Sequence, residues 1–169
     1  MLIVLLIGAL TVGVLAGKGK TGQAGNSNIA HLYLHEKENF VEEGWDIVED
    51  GAWGKMKYNL SGETFDFVFN GHGLVPGTSY ILIYYPDPWS GDCYILCFGD
   101  EVVADSEGNV HIVGSVDMDT NLPAECDKNK DGAKIWLVPS RDWDDGMTGW
   151  NPESYLFEYD LITFEYTGD

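Results

Sequence analysis

Thr64-Phe65-Asp66-Phe67-Val68-Phe69 sets a phenylalanine at every second position, with polar or smaller residues between. Successive side chains leave a strand on opposite faces, so this period of two marks a strand with one face against a core. The same reading spreads in both directions. Upstream, His31-Leu32-Tyr33-Leu34-His35 alternates, residues 45–48 follow, and residues 52–58 carry Trp53, Met56 and Tyr58. Downstream, Gly71, Gly73, Pro76 and Gly77 mark a loop, and residues 79–85 (SYILIYY) read as a strand buried on both faces. Pro86 and Pro88 end it, since proline cannot donate to a ladder. Residues 94–98 and 101–104 flank a Gly-Asp turn, and residues 110–116, 134–138 and 155–166 supply the last strands. About nine or ten short strands with frequent turns, and no helical spacing, predict a single all-β domain over residues 29–169. A β-sandwich, immunoglobulin-like or jelly-roll, is the expected arrangement.

Composition agrees with a folded body. Hydrophobic residues make up 44% and aromatics 13% of the 169, too much apolar material for a disordered chain. Residues 1–16 are apolar and uncharged, too short for a membrane span and suited to a signal peptide, with an N-terminal anchor as the alternative. Residues 17–28 (GKGKTGQAGNSN) read as a flexible Gly-rich leader. The chain is therefore expected outside the cell, with no membrane contact once the apolar segment is removed.

Charge narrows the partners. With 28 acidic against 9 basic residues, the net charge of −19 repels nucleic acid and anionic lipid. It also repels further copies of the chain unless cations or covalent links hold them together.

Export permits disulfides, and the chain has three cysteines. Cys93 and Cys97, four apart on a strand, lie about 13 Å from each other and cannot join. Either can pair with Cys126. The third is left as an intermolecular link or a buried free thiol. Asn59-Leu60-Ser61 is an N-glycosylation sequon at a strand end, where Asn59 is expected to be exposed.

The best local ion motif is Asp127-Lys128-Asn129-Lys130-Asp131-Gly132. Oxygen side chains at the first, third and fifth positions, then glycine, match the first half of a calcium loop. The closing bidentate glutamate is missing, since Val138 stands in its place, so Asp117, Asp119 or Glu125 would have to complete the shell. An ordinary Asp/Asn/Gly turn is the alternative. Aromatic residues near acidic loops (Tyr85, Trp89, Trp143 and Trp150) form a possible platform for sugar rings, whose C–H faces pack on aromatic faces. Nucleophile elbows, zinc-protease motifs and phosphate loops are missing, and the four histidines are scattered along the sequence, so a non-enzymatic role is expected.

Leu74-Val75-Pro76-Gly77-Thr78-Ser79-Tyr80 resembles a turn of immunoglobulin-like extracellular modules. Residues 81–89, 108–115 and 132–140 resemble a class of exported archaeal β-sandwich proteins with no established activity. Leader, odd cysteine and acidic surface also resemble archaeal sheath, surface-layer or extracellular-filament subunits. That resemblance implies a homopolymer in which an N-terminal strand adds to a neighbour, with Ile29, His31, Leu32, Tyr33, Leu34 and His35 as the assembly strand. A monomeric calcium-dependent carbohydrate-binding or adhesion module is the alternative expectation.

Overall fold

A computed structural model describes residues 27–38, 45–88, 93 and 96–168. Residues 1–26, and with them the signal and most of the leader, lie outside this range, as does Trp89. The chain is all-β: ten strands lie among the described residues, and two short 3-10 turns take the place of helices. None of these helical turns is long and apolar enough to cross a membrane.

Strands β1 (Ile29–His35), β2 (Trp53–Asn59), β4 (Thr64–His72), β7 (Val110–Asp117) and β9 (Phe157–Glu158) form one sheet, in the order β7-β4-β2-β1-β9. Strands β5 (Ser79–Tyr84), β6 (Leu96–Val103) and β8 (Ile135–Pro139) form a second, in the order β6-β5-β8. Both are antiparallel. A third pairing, of β3 (Ser61–Gly62) with β10 (Glu165–Tyr166), is parallel.

Alternation in the sequence places the core. Leu32, Leu34, Met56, Phe65, Phe67 and Phe69 from the large sheet meet Tyr80, Leu82, Tyr84, Phe98 and Leu137 from the small one. The ring of Phe98 lies 5.1 Å from Phe65 and 6.0 Å from Phe67, so two of the three phenylalanines pack on a strand of the second sheet. Each such ring contributes about 2 kcal/mol by leaving water. Two glycines make room for the triplet: a Cβ on Gly54 would collide with Phe69, and one on Gly114 with Phe67.

Residues 156–158 lace the two sheets together. Leu156 exchanges two 2.9 Å hydrogen bonds with Leu137 of β8, and the next two residues pair with Leu34 and His35 of β1. The fully apolar β5 is the central strand of its sheet, buried from Tyr80 to Tyr84 as its sequence predicts.

Three expectations are corrected. Residues 45–48 form no strand: Ile47 makes one bridge to Lys37, and Trp45 packs edge-on against Phe157 at 4.7 Å. Gly99-Asp100 is no turn but an irregularity inside β6, where the register against β5 shifts between Tyr80 and Leu82 and Gly99 takes φ +81°. Glycine permits that conformation within a strand, so the Gly-Asp pair bulges instead of reversing the chain. Residues 155–166 break into short pairings, because each segment serves a different neighbour.

Candidate functional site

Strand β8 turns Ile135 and Leu137 toward the main core and sends Trp136 and Val138 to the other face of the small sheet. There, with Ile81, Ile83, Tyr155 and Phe157, they form a second apolar cluster, against which Tyr85, Trp143 and Met147 pack. Tyr85 follows β5 directly and is fixed by its N–H to the Lys134 carbonyl at 2.9 Å. Its ring stacks on Trp136 with centroids 3.9 Å apart and planes 17° from parallel. Trp150 lies 5.9 Å from Trp136 and edge-on to Tyr155 at 5.7 Å, and remains 46% exposed. Tyr85, Met147, Thr148, Gly149 and Trp150 line an open, mostly apolar groove of about 460 Å³.

Charge sits on one rim. Lys134 Nζ lies 5.1 Å over the Tyr85 ring and 5.9 Å over Trp136, and pairs with Asp87 at 2.6 Å. Burial, with the Asp87 charge beside it, pushes the Tyr85 phenol up to about 12, so it stays a neutral donor. Behind the groove is Glu158, whose carboxyl burial pushes up to about 7 against the pull of Lys37, Trp136 and Lys134. The buried Trp136 indole N–H lies close enough to the Glu158 carboxyl to favour its charged form, but without hydrogen-bond geometry of good quality.

The loop carrying Trp150 is held by Asp142, which is 4% exposed. Its carboxylate accepts from the Asn151 amide at 2.9 and 3.0 Å and from the Tyr155 hydroxyl at 3.0 Å, and its carbonyl accepts the Thr148 N–H at 2.8 Å. Burial first, and then Asp142, raise the Tyr155 phenol well above its ordinary value, so it donates across the whole neutral range.

Three of the four platform residues read from sequence thus meet: Tyr85, Trp143 and Trp150 converge, and Trp89 lies outside the described residues. Trp136, the ring on which Tyr85 stacks, was missed. The signal was present, since in Lys134-Ile135-Trp136-Leu137-Val138 the period of two sets Trp136 opposite to Ile135 and Leu137.

The calcium-like loop has a different place. Asp127 is fully buried and faces inward. One oxygen accepts the Tyr84 hydroxyl at 2.6 Å, and the other accepts the N–H groups of Asp87 at 3.0 Å and Asn129 at 2.8 Å. Its carboxylate is occupied in tying the loop to the end of β5. Asp131 is exposed and lines a separate groove with Glu165, while Asp119 and Glu125 line an adjoining one, and Asp117 ends β7. Among the described residues no three His, Cys, Asp or Glu side chains are grouped to hold a metal ion.

Beside Asp127, Cys126 is joined to Cys93, with Cα atoms 5.2 Å apart. Cys97 is free and exposed on β6, which corrects one of the two readings of the leftover cysteine, the buried thiol. Partial desolvation and then Asp145 push its thiol above the ordinary value. Asn59 is also corrected. It is 9% exposed, its amide nitrogen donates to Thr64 and Ser61 at 2.8 and 3.2 Å, and its oxygen accepts the Asp66 N–H at 2.8 Å. The sequon asparagine is an internal turn clamp, because the β2–β4 reversal needs those polar groups satisfied. The assembly strand β1 lies inside its own sheet, paired along its full length with β2 and at one end with β9. Comparison of the chain with protein families, with curated proteins and with solved structures finds no match.

Proposed function

We propose that this is a non-enzymatic extracellular protein, its two sheets arranged as a β-sandwich, that holds a neutral sugar chain in the aromatic groove. The observation that carries this reading is the convergence of Tyr85 and Trp150, from separated stretches of sequence, on one half-open apolar groove, with Trp136 buried against the Tyr85 ring. Stacked rings offer flat faces to pyranose C–H groups, and the Asp87 carboxylate, the Tyr85 hydroxyl and Thr148 stand nearby to meet sugar hydroxyls. The net charge of −19 favours a neutral ligand over a uronic or sialic acid. The Cys93–Cys126 disulfide and the apolar residues 1–16 support an exported location.

The test is titration calorimetry against neutral oligosaccharides selected on a glycan array. Trp150→Ala is expected to weaken binding at least about tenfold, the loss of one stacked ring, with the fold intact. Absence of binding to any neutral glycan overturns the reading. Calcium enters through the 127–132 loop alone: a chelator that weakens sugar binding gives the metal a part, and an unchanged titration removes it.

A second reading, a structural subunit of an archaeal filament, sheath or surface layer, is favoured by one observation. β1 pairs with β2 over all seven residues while the long connection 36–52 separates them, so a neighbour's β1 could occupy the same slot with every pairing kept. Deleting residues 17–35 would then abolish polymers seen in negative-stain micrographs, and unchanged polymers would overturn strand addition.

A further inference from the structure

The outer face of the large sheet carries a pattern that composition hides. Register sets His31 beside Lys57, Val68 and Val113 in one row across the strands. The next row is Tyr33, Lys55, Asn70 and His111, and the next is His35, Trp53 and His72. All four histidines of the chain therefore share one face with two of its lysines, on strands about 4.8 Å apart. These rows contain no carboxylate, on a chain with 28 acidic residues. The carboxylates of the face, Asp66 and Asp117, lie toward one end, and Asp66 accepts the hydroxyls of Thr64 and Ser115 at 2.9 and 2.5 Å. Tyr33, Trp53 and Val113 stand 41%, 40% and 63% exposed on this face.

We propose that this face docks the acidic surface of a second copy of this chain. Charge complementarity selects that occupant: these rows carry two lysines and four histidines with no carboxylate, on a chain whose net charge is −19. The grooves lined by Asp119 and Glu125, and by Asp131 and Glu165, are the kind of surface it fits. One face meeting a different face makes a head-to-tail contact, which extends into open chains. The exposed Tyr33, Trp53 and Val113 add apolar area to the charge pairing.

Docking is coupled to protons. His31 is held below its ordinary value by desolvation, then by Lys55 and Lys57, and His35 by desolvation, then by Lys37. His72 shares a hydrogen bond with Asn109 and His111 one with Asn70, both at 2.8 Å, while Tyr159 packs edge-on to His35. Glu36, next to His35, is committed to the Ala52 N–H at 2.9 Å. Carboxylates of an incoming copy oppose the lysine fields, so docking takes up protons and tightens as pH falls through the histidine range. This inference is independent of the sugar groove, which lies on the other sheet.

The experiment is sedimentation of the purified full chain at low salt, at pH 7.5 and 5.5. Self-association is expected to be about tenfold tighter at pH 5.5, and His31→Gln with His35→Gln to flatten that difference. Acidification also lowers net repulsion, so two variants of equal charge change separate the causes. Lys57→Glu, on the face, is expected to weaken association about tenfold at pH 5.5, and Arg141→Glu, exposed beyond the end of β8 and on neither docking surface, less than about twofold. A monodisperse chain at both pH values, or equal weakening by the two charge-reversal variants with both melting as the parent does, overturns the proposal.

Discussion

The chain uses one device twice. At one end of the small sheet a buried aspartate, Asp127, accepts the hydroxyl of a buried tyrosine, Tyr84, at 2.6 Å. On its outer face Asp142 accepts the hydroxyl of Tyr155 at 3.0 Å. Asp127 adds two backbone N–H groups, has a disulfide as its neighbour, and is fully buried. Asp142 relies on the Asn151 side chain, has no disulfide beside it, and positions a loop whose Trp150 is half open to solvent. The first arrangement locks a loop to the core. The second holds a loop that borders a groove, and this difference in bracing separates scaffold from site.

The largest expected effect breaks the first arrangement. Asp127→Ala leaves the Tyr84 hydroxyl and two N–H groups without their acceptor, and should cost about 4 kcal/mol in urea unfolding. Asp142→Ala should cost about 2 kcal/mol and, unlike the first variant, shift Trp150 fluorescence toward that of exposed indole. If the two lose equal stability, the contrast in bracing is wrong.

Replacing Cys93 and Cys126 together with serine opens a loop with a sequence separation of 33, worth about 3.7 kcal/mol by chain entropy. The groove should survive, so sugar binding measured well below the new melting temperature should remain.

Glu158 sharpens the comparison through pH. Its folded value of about 7 stands above the ordinary 4.5. The folded state therefore holds its proton more tightly than the unfolded chain, and this contribution is complete below about pH 4.5 and is lost as pH rises toward 7. Glu158→Gln stays neutral, so it should match the parent near pH 4.5 and exceed it by about 3 kcal/mol at pH 8. A parallel offset at both pH values would show that packing and not ionisation separates them. The smallest effect belongs to Tyr155→Phe, expected to cost about 1 kcal/mol and to weaken sugar binding without abolishing it.

The sequence made the strands legible wherever one face was apolar and the other was not. Phe65, Phe67 and Phe69 are all buried, and β5, apolar throughout, is central in its sheet. It could not show which strand lies beside which. The histidine face exists only because β1, β2, β4 and β7 pair in one register, and their histidines are up to 80 residues apart. Polar residues misled for a related reason. Asp127 and Asn59 belong to residue types that usually face water, and their local patterns fit an ion loop and a sequon. Asp127 is buried because distant parts of the chain bring it the Tyr84 O–H and the Asp87 N–H, and Asn59 because the β2–β4 reversal folds Ser61, Thr64 and Asp66 around it. Trp136 was readable in principle, since its strand gave its parity, but nothing local announced that Tyr85 would stack on it.

The lacing by residues 156–158 sets the order of events during synthesis. β1 emerges early, yet its second neighbour, β9, and the partner of Leu137 are made more than a hundred and about twenty residues later respectively. The hydrogen-bonded link between the two sheets cannot form until that segment has left the ribosome, whereas the rings of Phe65, Phe67 and Phe98 are all made earlier. The segment made late thus locks by hydrogen bonds a contact whose aromatic centre is already in the chain.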